Sequence, residues 1–157
     1  AILEGADVNI GEFKECIDFA RSYADKHHHG KEEQILFLHM LENPTPATVK
    51  LIQNGMLVEH DFGRFHITEL ENAMELYSKY PCTKNKLNII THACAYADLL
   101  QRHIKKEDTV CYTYAQRILS NTEKNHIDEK MRAFEENAEQ NGIQKKYLKW
   151  LDTCSEK

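Results

Sequence analysis

Apolar positions in this chain recur every three or four residues over long stretches, the spacing of amphipathic helices, and nowhere alternate as strands do. A first helix is predicted from about residue 10 to 41, with Phe13, Ile17, Ala20, Ala24, Ile35 and Leu36 as its apolar stripe. Asn43-Pro44-Thr45-Pro46 ends it, because proline removes a backbone donor and restricts the residue before it. A second helix covers about 47 to 80, with an interruption expected near Gly55 and a stop at Pro81. The third runs from about 84 to 119, with Ile89, Tyr96, Leu99, Leu100, Val110 and Tyr114 on one stripe. Two more polar helices, 120–142 and 143–156, meet at Asn141-Gly142, a C-terminal stop signal. Residues 1–9 read as a tail or connection. The fold class is all-α.

Length and composition narrow the picture further. A chain of 157 residues fits one domain with a core of its own, here a bundle over about 10–119 and a helical extension over 120–157. Six Gly and three Pro leave few breakers, which favours long helices. A formal charge of −5 argues against a general nucleic-acid surface. No apolar run is long enough to cross a bilayer. The five cysteines are scattered, without a Cys-x-x-Cys pair, which fits reduced thiols and a cytoplasmic protein rather than a disulfide framework or zinc knuckle. Nine histidines are many for this length, and they direct attention to metal chemistry.

Two segments match at an offset of 75 residues: HHGKEEQILFL from His28 and HIKKEDTVCYT from His103. His28 aligns with His103, Lys31 with Lys106 and Glu32 with Glu107. Each segment offers a histidine and a carboxylate at i and i+4, one helical turn apart on the same face. Both pairs continue apolar stripes, so both are expected to point into the core. A buried ionised carboxylate is costly unless paired or bound to a cation, and that cost arises twice here. On the second helix His60 shares a stripe with Met56, Leu57, Gly63, Arg64, Ile67 and Leu70. Gly63 would leave space for a small ligand beside the metals, and Arg64 could pair with a carboxylate or an anion.

A single His-x-x-x-Glu pair is usually an exposed helix contact. Two copies on apolar stripes, with an inward histidine between them, make a metal centre the better reading. Mixed nitrogen and oxygen ligands suit iron more than calcium or magnesium, with zinc or manganese as further options. By α-helical geometry His27 and His29 flank the centre without binding, and Glu33 and Asp108 face solvent, either being a fallback ligand if the register slips. His39 and His92 lie too far along their helices to join, while His66 and His126 read as surface or boundary residues. Tyr112 and Tyr114 read as packing residues, and the mixed charges near the C-terminus as a solvated helix face.

In this order, HHGKEEQILF, MLVEHDFGR and HIKKEDTV resemble the three motifs of the hemerythrin-like, or HHE, domain of bacteria. The resemblance covers about residues 10–119. It implies an up-and-down four-helix bundle around two iron ions in an oxo- or hydroxo-bridged di-iron centre. Glu32 and Glu107 would be bridging carboxylates, with His28, His60 and His103 as terminal ligands. The family's first helix carries a further histidine, and here that helix is expected to lie outside the chain, which then reads as a fragment. Its loss would open an apolar groove for a partner chain or the C-terminal helices to fill. Oxygen-carrying hemerythrins have a second histidine where this chain has Arg64. The implied function is binding of dioxygen or a related small oxidant, for sensing, storage or scavenging. Alternatives are peroxide or nitric oxide reduction, iron storage or donation, and a metal-free helical interaction module. No flavin, nicotinamide or phosphate motif is present, so electrons would come from an unidentified donor, and a homodimer is one assembly open to it.

Overall fold

The computed structural model describes residues 2–155, and the described residues contain no strand. Helix α1 occupies residues 10–40, α2 46–79 and α3 83–118, each within a residue or so of its predicted bounds. Helices α4 (Asn121–Gln140) and α5 (Ile143–Ser155) follow. Local chemistry sets the ends. The Asn9 side chain accepts a hydrogen bond from the Glu12 N–H, and Thr45, followed by Pro46, accepts one from Thr48. Ser120 and Glu123 form a reciprocal capping box at the start of α4. Gly142, at φ 71°, takes the left-handed turn between α4 and α5 that a side chain would resist.

The first three helices are not uniformly α-helical. Residues Ala20–His29 and Glu32–Phe37 in α1, Ile52–Met56 in α2 and Glu107–Cys111 in α3 are wound as π-helix. Its i→i+5 hydrogen bonds put more residues in each turn. The interruption expected at Gly55 is therefore a change of winding within a continuous α2.

The side chains these helices bury form three layers. One apolar cluster joins Ile17, Ala20, Ile67, Leu70, Met74 and Ile89, and another joins Leu36, Phe37, Met40, Ile52, Met56 and Cys111. Between them on α1, α2 and α3 lie the buried polar residues His29, Glu32, His60, His103 and Glu107. Val110, expected on the inner stripe, is 45% exposed, and Cys111 beside it is fully buried within the π-wound stretch.

Helix α4 lies against α1 and α3, with Ile127, Met131 and Phe134 packed on the second cluster. Helix α5 continues along α1, joined to it by Tyr147 on Asp18 and Trp150 on Glu15. The mixed charges of α4 are not wholly a solvated face, because Glu135 pairs with Lys31 and His27 on α1. Residues 2–9 are more than a tail. Ile2–Glu4 form a 3-10 turn, Val8 is buried, and the Ala6 carbonyl accepts a hydrogen bond from Lys86. No helix among the described residues is long and apolar enough to cross a membrane.

Candidate metal centre

The middle layer gathers ligand-type atoms from all three helices. One such atom from each of Glu32, His60, His103 and Glu107 lies within 4.8 Å of the others, and the same holds for His29, His60 and His103. His60 Nε2 is 3.1 Å from His103 Nε2, and His103 Nε2 is 2.7 Å from Glu107 Oε1. Glu32 Oε2 lies 3.6 Å from His60 Nε2. His28 Nε2 stands 3.8 Å from both Glu32 Oε2 and Glu107 Oε2. The two oxygens of Glu107 thus face opposite ways, one toward His103 and one toward His28.

Each inner imidazole is oriented by a carboxylate behind it. Glu33 lies 2.6 Å from Nδ1 of His60, Glu59 3.0 Å from Nδ1 of His103, and Asp25 3.3 Å from Nδ1 of His29. A carboxylate that accepts the Nδ1 proton of a neutral imidazole leaves its Nε2 lone pair free for a cation. Arg64 holds Asp25 and Glu33 together, and Lys106 pairs with Glu59. Tyr112 donates to Glu32 Oε1 at 2.6 Å, so it does more than pack.

Several of these partners were not expected from helical periodicity. Glu33, expected in solvent, has a side chain only 28% exposed and bonded to His60. His29, expected to point away, is buried with its ring stacked on His60 at 3.9 Å. The cause lies in the winding, since a π turn narrows the angle between successive side chains and lets His28 and His29 reach the same layer. A signal was present: Asp25 and His29 repeat the i, i+4 spacing of His28 and Glu32. His27 sits off the layer on Glu135, and Asp108 is exposed, both as expected.

Charge in this layer is unevenly placed. Burial and the neighbouring Glu107 push the Glu32 carboxyl up to about 7. Burial would also raise Glu107, but His103 and His28 outweigh it and hold that carboxyl well below the usual range. Burial, reinforced by His60 and His103, lowers His29 to about 4, and burial lowers His60 as well. Burial opposes a charge on His103, yet Glu107 and Glu59 prevail and raise it. His28 is raised chiefly by its contact with Glu107.

The donor set fits a cation. Glu32 Oε2, Glu107 Oε1 and His29 Nε2 are buried without a hydrogen-bond partner; Glu107 and His103 approach closely, but not at hydrogen-bonding angles. Two nitrogens bound at right angles to one cation at about 2.1 Å would lie about 3 Å apart, close to the His60–His103 spacing. Two cavities reach the layer. One, of about 340 Å³, is lined by Ala20, His29, Gly63, Arg64, Ile67 and Tyr96 among others. The other, of about 560 Å³, runs from His28, Glu32 and Tyr112 to Lys124, Asp128 and Met131 on α4.

Fold and layer together define a helical bundle with a histidine–carboxylate cation site in its core. Residues 1–115 match the sequence model of the Hemerythrin HHE cation binding domain. The chain belongs to that family. No curated protein and no solved structure matches it.

Proposed function

We propose that this centre holds two iron ions and binds dioxygen or a related small oxidant. The observation that carries the reading is the convergence of three unpartnered buried atoms, on Glu32, Glu107 and His29, in a layer with an apolar cluster above and another below. Such atoms are costly to bury unless a cation completes them. Glu32 and Glu107, with His60, His103 and His29 on one flank and His28 on the other, would hold the ions.

When bound, the iron pair supplies reversible two-electron redox chemistry and an open position for the oxidant. The chain does the rest. Asp25, Glu33 and Glu59 hold the imidazole tautomers, while Arg64 and Lys106 hold those carboxylates. Tyr112 fixes one oxygen of Glu32 and leaves the other facing the layer. Ala20, Ile67 and Tyr96 give the cavity beside Gly63 apolar walls suited to a small uncharged molecule.

Metal analysis and ultraviolet–visible spectroscopy of the iron-loaded, air-exposed protein test the reading. Two irons per chain and charge-transfer bands that alter reversibly on reduction are expected. Glu107→Ala should lose both, whereas Asp108→Ala, one residue on but exposed, should keep them. Iron-free protein after loading, or equal iron in both variants, would remove the proposal.

A further inference from the structure

A second pair of histidines faces across the same two helices, outside the centre. His66 on α2 and His92 on α3 bring their Nδ1 atoms within 3.2 Å. Six residues separate His66 from His60, about 9 Å along the helix axis, so the two pairs cannot share a cation. The rings are half-buried, and Phe65 lies edge-on to both.

The two pairs have nearly the same nitrogen spacing and different surroundings. His60 and His103 each have a carboxylate behind them. Among the described residues, His66 and His92 hydrogen-bond only to each other and form no ion pair with an acid. Without a cation, one ring must donate a proton to the other. Burial and the nearby His92 disfavour a charge on His66, which keeps lone pairs available near neutral pH.

We propose that His66 and His92 form a separate, solvent-accessible cation site for a borderline transition metal such as nickel, zinc or copper. Two neutral imidazoles with water completing the coordination suit these ions, whereas magnesium and calcium require oxygen ligands. The spacing again matches two nitrogens bound side by side at about 2.1 Å. A cation there links α2 to α3 from outside the bundle, and by mass action it favours the folded state.

The test is nickel(II) titration of the whole chain, followed by calorimetry and by NMR of the histidine ring nitrogens. Wild type should take up one more nickel than either His66→Gln or His92→Gln, with the His66 and His92 ring signals broadened by the paramagnetic ion. Magnesium should add nothing at this pair. Equal nickel uptake by wild type and both variants would overturn the site, as would broadening confined to other histidines. Circular dichroism checks that the half-exposed substitutions leave the bundle folded. The readout compares variants of this pair only, so it stands or fails separately from the buried centre.

Discussion

The two flanks of the Glu32–Glu107 pair are built to different standards. On one, His29, His60 and His103 are buried, and each meets a carboxylate through Nδ1. Arg64 and Lys106 lock those carboxylates in place. On the other, His28 stands alone with its side chain 39% exposed, beside the larger cavity. The first flank has its geometry fixed before a cation arrives. The second is free to adjust, and binding there must overcome more lost motion. On the proposed ligand set, the flanks should respond unequally to damage.

The largest difference is expected between His60→Ala and His28→Ala. Removing His60, which is fully buried, leaves a void and takes from Glu33 one of its two partners, the other being Arg64, at about 2–4 kcal/mol of stability. Both cations should be lost. Removing His28 should cost under about 1 kcal/mol, since the side chain is partly solvated, and only one cation should go. Denaturant melts and iron per chain measure the two effects; equal losses would erase the distinction between the flanks.

Next in size is the carboxylate behind a ligand. Glu33→Gln keeps the shape but can present an amide donor to His60 Nδ1 and weakens the grip of Arg64. Iron affinity should fall about 10–100-fold, read by competition with a chelator. Glu42→Gln, an exposed carboxylate paired with the largely buried His39, serves as the control.

This carboxylate shows where sequence reading stops. Helix bounds were legible because prolines, caps and a 3.6-residue period mark them, and the inward placement of Glu32, His60, His103 and Glu107 followed from that period. Glu33 and His29 were not legible in the apolar pattern, because their positions depend on i→i+5 winding in α1, and only the Asp25–His29 spacing hinted at the second. Glu59 and Asp25 were missed for a related reason. Their role is to face a histidine on another helix or one turn away, and a stripe of hydrophobic positions carries no information about such partners. Val8 escaped notice because a lone apolar residue outside a periodic stretch has no pattern to join.

Protons compete with cations at the same atoms, which gives a graded probe of the centre. Glu32 in the cation-free fold is raised to about 7 from 4.5, so below about pH 7 it holds a proton that a cation must displace. The raised His28 and His103 act in the same direction. Affinity should therefore weaken as pH falls, by about tenfold per unit for each proton released. Calorimetry in buffers of different ionisation enthalpy counts those protons. For cation-free protein the sign on folding follows from the same shift. The folded chain keeps a Glu32 proton that the unfolded chain releases, so this contribution to stability is full below pH 4.5 and is lost as pH rises through about 7. A pH-independent affinity would contradict the assignment of Glu32.

The smallest effect concerns which flank admits the ligand. Gly63 lines the cavity next to His29, and a Cβ added there would meet Tyr96 Cε2 at 3.6 Å, an ordinary contact. Gly63→Ala should therefore stabilise the helix by about 1 kcal/mol, with oxidation kinetics little changed. Gly63→Leu occupies the cavity itself. If oxidants pass on the His29 flank, stopped-flow oxidation of the reduced protein should slow in the leucine variant while iron content stays constant. An unchanged rate would assign passage to the open side by His28, and the ordered flank would then be the one that only holds.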